Sequence, residues 1–597
     1  MKYAFAAALL TSGLLSSGAI AGLQAPVKEN KEAEASQPQE KLDPPLKNLE
    51  EDRSAAIFVR FKDQLFKRGG DFETFCKEHT ESKRRELRKD VIATLKSKSE
   101  ASWNKVKDAV ATIEKSGGIN TLKRFWVVNG FACDATLTAC QELAKLDEVE
   151  FVYRQTMPAP YYLHKNPAQG NGRKTPEKTL NLHERILAER KAGKDPAIAY
   201  DKIEIPWNLG RIKAGNVWID EGVRGEGVVI GVIDSGLTVT PALTSALWHN
   251  AGESVNGEDD DGNGYIDDVF GYDFSGSVGG YILGDRDAKS SHGTICAGII
   301  ASRPYNSNNL ATGVAPAARL MILAKGALET YEYALNHGAD VLSMSYMLIN
   351  IEVGNYRGVY RLAHEHMTAA GIVSAGGAGN FAQQCPEGKQ ICIPKDIPCV
   401  IAAAGVGEKG RRPAFSSMGP CYWEGVVFYD DYPKTAPLIK PDVAALNKDF
   451  PVWVSEPSAN AQRSYTLVSK EDGAVLVIGP QGNSFAGPHV AGLAALMLSA
   501  DPDLPAWEVK RIMEETCFDI GEKGRDVEFG AGLIDALAAV RTVKKRAGLP
   551  LGELKEKNKE KSTEQQKENS PETPQSDPAT PSREEDFCLP EPGKRHW

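Results

Sequence analysis

Three short segments of this 597-residue chain combine into one piece of chemistry. Gly227–Leu237 (GVVIGVIDSGL) is a β-branched run that reaches Asp234, setting a carboxylate at the carboxyl end of a buried strand, where α/β sheets open their ligand crevice. A helix-capping aspartate would read the same way. Ser291–Ile300 (SHGTICAGII) puts His292 at the head of a helix whose Gly293, Ala297 and Gly298 permit close packing. Gly482–Met497 (GNSFAGPHVAGLAALM) puts Ser484 at the mouth of another, with Pro488 in its first turns and Ala491, Leu493, Ala494 and Leu496 on a buried face. Each is ordinary alone, the serine an N-cap and the histidine a structural residue. Together they supply the hydroxyl nucleophile, imidazole base and orienting carboxylate of acyl transfer, in the chain order Asp, His, Ser.

Two further clusters could hold metal. Gly257–Asp268 (GEDDDGNGYIDD) offers Asp259, Asp261, Asn263, the Tyr265 carbonyl and Asp267 at alternate positions around Gly262 and Gly264, the spacing by which an EF-hand-like loop wraps oxygen ligands around Ca²⁺. Phe270 stands where the closing bidentate glutamate belongs, so an acidic turn without metal fits equally well. His364-Glu365-His366 has no third ligand at suitable spacing and reads as a solvated helix face.

With GGAGN around Asn380, IKPDVAA around Asp442 and GAGLIDA from Gly530, the three segments resemble the subtilisin-like serine peptidases, the match running in order from Pro206 to Val543. The resemblance implies a doubly wound, mostly parallel α/β sheet and a chemistry needing no cofactor. It implies Ser484 as nucleophile, His292 as general base and acid, and Asp234 as the group fixing the histidine tautomer. Asn380 would serve the oxyanion beside the Ser484 N–H, where the helix dipole also favours negative charge. Asn483 replaces the family's threonine before the nucleophile, and its amide is expected to donate near the oxyanion. Cys296 resembles the cysteine of the thiol-containing branch of the family and is otherwise a small apolar filler; His489 matches a structural position. Ser345, Tyr346, Met347 and Gly377 fall at substrate-binding positions. Met347 stands where the family has a glycine, so the pocket is expected to favour small residues before the cut, unless a local shift turns Met347 into the core.

These residues need a scaffold, and residues 205–545 provide one by alternating β-branched runs with helical stretches. Residues 1–21 read as a signal peptide, an apolar run from Tyr3 to Leu15 followed by Ala19-Ile20-Ala21 and too short to span a bilayer, so export to an extracellular or periplasmic space is expected. A buried N-terminal helix is the other reading. Residues 22–53 read as a disordered linker. Residues 54–155 form a small α+β unit similar to the ferredoxin-like inhibitor propeptides of the family, which implies a zymogen whose own propeptide blocks the cleft; an unrelated accessory domain is the alternative. Residues 156–204 read as a linker carrying the maturation site, and 546–597 as a disordered tail. In an oxidising compartment Cys385, Cys392, Cys399 and Cys421 read as disulfide partners. A net charge of −10 argues against nucleic acid as a partner, no later stretch is apolar enough to span a membrane, and a monomer acting on proteins or peptides is expected. A non-catalytic binding protein on the same scaffold is the rival reading.

Overall fold

Strand β1 (Ser54–Phe61, SAAIFVRF) is apolar on both faces because each meets a different partner. In the computed structural model, which describes residues 38–50, 53–155, 184–188, 200, 203–274, 283, 291–305, 310, 313–348, 353–455, 466–471 and 474–553, all described residues belong to one compact unit. β1 pairs antiparallel with β3 (Gly130–Thr136) and β4 (Val149–Arg154), and β2 (Ile119–Phe125) completes the order β2-β3-β1-β4. With helices α2 (Arg84–Lys115) and α3 (Leu137–Lys145) this is a βαββαβ arrangement of ferredoxin type. Ile57, Val59 and Phe61 pack with Val106, Val110 and Leu143 of the helices, while Phe58 faces the rest of the chain together with Phe125, Phe151 and Tyr153.

The large sheet has the order β11-β10-β9-β8-β5-β7-β6 and is parallel throughout. Its strands are β5 (Val229–Asp234), β6 (Gly271–Asp273), β7 (Arg319–Ala324), β8 (Val341–Met344), β9 (Val373–Gly377), β10 (Ile401–Val406) and β11 (Val443–Leu446). Their near-continuous Val, Ile, Leu and Ala content reflects burial on both faces. One face carries α4 (His292–Ala301) and α7 (Asn483–Ala500), with α9 (Ala536–Arg546) behind; the other carries α5 (Leu328–Asn336) and α6 (Arg357–Ala369). α7 is buried along almost its whole length and packs on β8, β9, β10 and β11 as well as on α4 and α9. A small antiparallel sheet that the sequence did not suggest, β12 (Pro451–Val454), β14 (Ala474–Ile478) and β13 (Thr466–Glu471), lies against α4.

Two boundaries differ from expectation. The linker expected over 22–53 is ordered in its last part: Leu42 bridges Val152 at the edge of β4, Leu46 is buried, and Asp43 accepts from the Arg154 N–H (3.1 Å) and the Asn355 amide (2.9 Å). Leucines spaced four apart in a polar stretch find the open edge of a sheet. At the other end the chain beyond 545 is held as far as Gly552, whose N–H donates to buried Glu221 (3.0 Å) and whose carbonyl accepts from Arg541 (2.7 Å). Residues 1–21, read above as a signal peptide, most of 156–204 and residues 554–597 lie outside the described residues.

Candidate active site

Asp234 closes β5, and its Oδ1 accepts from the Ser235 N–H (2.7 Å) and faces His292 Nδ1 at 2.7 Å. His292 can stand so close because Gly293 beside it has no Cβ: one built there would lie 2.1 Å from the Gly236 carbonyl oxygen. Burial alone would push His292 down, but the Asp234 carboxylate and then the Cys296 sulfur outweigh it and hold the imidazolium well above the usual histidine range. Burial opposes the Asp234 charge as well, yet His292 and the Ser235 N–H keep that carboxyl below its usual value. With Nδ1–H donating to Asp234, the remaining ring nitrogen, Nε2, is the one able to take a proton.

Ser484 is the second residue of α7, after Gly482 at φ +144°, a conformation few side chains tolerate. The Phe485 ring packs 5.4 Å from the His292 ring, so the turn bearing Ser484 lies beside the imidazole. The Ser484 carbonyl accepts from Ser345 Oγ (2.6 Å), and Cys296 Sγ lies within 3.9 Å of His292 Nδ1, Ser345 Oγ and the Ser484 carbonyl, its thiol pushed up to about 11 by burial and by Asp234. Asn380 is exposed and uses its Oδ1 to accept the Asn483 N–H (2.9 Å), which leaves its NH₂ as the outward donor. Gly377 lies against the same turn, with no room for a Cβ beside the Asn483 carbonyl. Tyr346 and Met347 are half-buried, and the Met347 methyl lies 2.9 Å from where a Gly379 Cβ would be, next to Asn380.

Several expectations need correction. Asn483 does not reach toward an oxyanion: it is fully buried, donating to the Gly379 carbonyl (2.7 Å) and Ser416 Oγ (2.9 Å) and accepting from Asn447 (3.0 Å), so it fastens the nucleophile turn to the loop that carries Asn380. His364, Glu365 and His366 are not a solvated face but wholly buried, because α6 is covered on its outer side by the N-terminal unit. His366 Nδ1 donates to the Val127 carbonyl (2.6 Å) and its Nε2 faces the Phe66 N–H (3.4 Å); Glu365 pairs with Arg361 (2.7 Å). Cys385, Cys392, Cys399 and Cys421 are all free thiols: Cys421 packs with Ala378 and Ile391, and Cys399 against a different cluster. His489, by contrast, lies as expected at a structural position, buried between the Phe485 carbonyl (2.8 Å) and Asn208 (3.0 Å).

The acidic loop also rearranges the expected ligands. Of the expected carboxylates Asp259, Asp261 and Asp267, only Asp261 joins the convergent acidic group, whose other members are Glu253 and Asp268, with carboxylate oxygens within 4.8 Å of one another. Asp259 instead accepts from the Asn263 and Gly264 N–H groups, Asp267 from those of Asn256 and Gly257. Asn263 donates to both Asp261 and Asp268, and the Tyr265 N–H closes onto the Asn263 amide oxygen. Burial first, and then the neighbouring Asp268 and Asp261 carboxylates, raise Glu253 to about 7. Three carboxylates suit a hard cation such as Ca²⁺.

A sequence model of the Subtilase family matches residues 225–532. Subtilisin DY of Bacillus licheniformis is 27% identical over 355 residues, covering 56% of this chain and 99% of its own length. Subtilisin-like protease 1 of Plasmodium berghei (strain Anka) is 26% identical over 326 residues, 52% of this chain and 49% of the relative, so the chain spans about half of that protein. Among solved structures, fervidolysin from Fervidobacterium pennivorans, described as a keratinolytic enzyme related to subtilisin, overlays 82% of this chain and 61% of its own at 17% identity and a TM-score of 0.45.

Proposed function

From the premise that this chain belongs to the subtilase family of serine endopeptidases, we propose that it is an exported zymogen hydrolysing protein substrates through an acyl-enzyme on Ser484. The observation that carries this reading is the 2.7 Å contact of His292 Nδ1 with buried Asp234 beside the helix turn bearing Ser484. His292 Nε2 takes the Ser484 proton as Oγ attacks the scissile carbonyl, and Asp234 holds the tautomer and balances the imidazolium. The oxyanion is met by the Ser484 N–H and the Asn380 amide, where the dipole of α7 favours negative charge. The imidazolium returns its proton to the leaving amine, and water then repeats the sequence to free the acid and restore Oγ–H. Ser345, Tyr346, Met347 and Gly377 line the approach to Ser484.

The N-terminal unit acts as the inhibitory propeptide. Support comes from how it is fastened: Glu332 of α5 accepts the Trp126 and Val127 N–H groups (2.5 and 2.9 Å), and Arg84 pairs with Asp340 (2.8 Å) with both side chains buried. The segment after β4, within 156–204, carries the cleavage site. Glu253, Asp261 and Asp268 would hold a structural Ca²⁺, which takes no part in the chemistry.

A serine-directed covalent probe followed by peptide mapping tests the reading. The processed protein should be labelled on Ser484, while Ser484→Ala should take no label and accumulate as full-length precursor. A folded, processed protein that resists every such probe would point to a binding scaffold instead.

A further inference from the structure

Lys395 lies directly behind the wall assigned above to the substrate cleft. It is 1% exposed, and its Nζ donates to the carbonyls of Tyr346 and, at 3.4 Å, Met344. The side chain reaches that position across Gly376, where a Cβ would lie 2.9 Å from Lys395 Cδ and 2.3 Å from the Met344 carbonyl oxygen. The next residue, Gly377, faces the opposite way onto Asn483 and Ser484, so one strand end separates the ammonium from the nucleophile turn. The Tyr346 ring is 5.2 Å from Nζ.

Two carbonyls and a ring face satisfy donors but bring no negative charge. The adjacent carboxylate, Asp396, is engaged by Arg357 at 2.7 Å, and among the described residues none forms an ion pair with Lys395. Burial lowers Lys395 to about 7, with Cys392 and Asp396 pulling the other way, as expected of a cation short of its counter-charge. A lysine has three N–H donors, and the carbonyls take two. Tyr346 and Met347 are only half-buried, which leaves this wall open to a substrate side chain if it borders the cleft as assigned above.

We propose that Lys395 makes this peptidase selective for an acidic side chain, aspartate above all, at the residue before the scissile bond. The proposal rests on the reading of Ser345–Met347 as the cleft wall. A carboxylate entering the pocket is attracted, across the Tyr346–Met347 wall, by an ammonium already stripped of water and oriented by two carbonyls, whereas the isosteric amide leaves the charge unbalanced. Met347 narrows the entrance, which favours the shorter acid.

Four matched peptides differing only at that residue, Asp, Asn, Glu and Ala, should be compared by kcat/KM in the processed enzyme and in Lys395→Met. The unaltered enzyme should cleave the Asp peptide about tenfold or more faster than the Asn peptide. In Lys395→Met that ratio should fall to near one while the Ala peptide is still cleaved. An Asp/Asn ratio near one in unaltered enzyme that cleaves the Ala peptide overturns the proposal, and this holds even where Lys395→Met does not fold. A ratio that survives the substitution also overturns it, because another group must then read the charge. Failure to cleave any of the four peptides would count against the peptidase reading instead.

Discussion

His292 is where the electrostatics of single residues become measurable. Its folded value is raised, so the imidazolium persists above the usual histidine range and the neutral base appears only as pH climbs through that higher value. The acid limb of kcat/KM against pH should therefore lie above 6.5, with activity rising into the alkaline range, and Asp234→Asn should abolish that limb along with most of the rate; a limb at or below 6.5 would mean that Asp234 does not govern the base. Asn380→Ala should lower kcat by roughly 100- to 1000-fold with little change in KM, read from steady-state kinetics on one peptide. Asp234, His292 and Ser484 were legible in the sequence because each lies in a motif that carries its own local geometry: a strand end, a glycine that admits the imidazole, a small-residue helix. Asn483 was not legible. Its amide is consumed by Gly379, Ser416 and Asn447, three partners brought together only by the folded sheet.

At the scale of elements, α6 shows why burial is harder to read than type. Its Arg361, His364, Glu365 and His366 look solvent-facing in a one-dimensional pattern, yet the helix is covered by a unit more than 200 residues upstream, and Arg361 lies between Glu365 and Asp431. The acidic loop misled in the opposite way. Its alternation suggested Asp259 and Asp267 as ligands, but both are spent on turn N–H groups, and Glu253 enters from before the loop. Ca²⁺ should raise the melting temperature of the processed enzyme by about 5 °C over chelator by binding the native state alone, and Glu253→Gln should remove the difference. Identical melting curves would leave the loop a metal-free turn. Where β8 runs on into the proposed cleft wall, Met347→Gly should raise cleavage of a peptide with Phe before the cut, relative to Ala, by about tenfold. An unchanged ratio would take Met347 out of the pocket.

Across the whole molecule, the N-terminal unit is fastened at several separated places, two of them built on buried charge or backbone groups. Glu332 and His366 take the hairpin around Trp126 and Val127, while Arg84 and Arg88 reach Asp340, which also accepts the Val229 N–H (3.0 Å) at the amino ends of the strands, the far side of the sheet from Asp234. Arg84→Ala removes one partner of a buried ion pair, and the severed N-terminal unit should then dissociate about 100-fold more readily, a loss of about 3 kcal/mol, measured by titrating the isolated unit into processed enzyme. An unchanged affinity would show that the other contacts, the hairpin among them, carry the binding without this pair. The N-terminal unit, with its own turn signals and alternating strands, was recognisable from sequence; this second attachment was not, because arginines at the start of a helix look like ordinary surface charge. The place of α7 in the sheet has a further consequence, in time. It is the helix on which β8 to β11 close, and it follows all four of them in the chain, so a chain emerging amino end first presents Asp234 and His292 on an unfinished sheet long before Ser484 exists. On the proposed reading no nascent fragment can cut its neighbours, and the N-terminal unit has finished its own short-range folding before the nucleophile it would block is made.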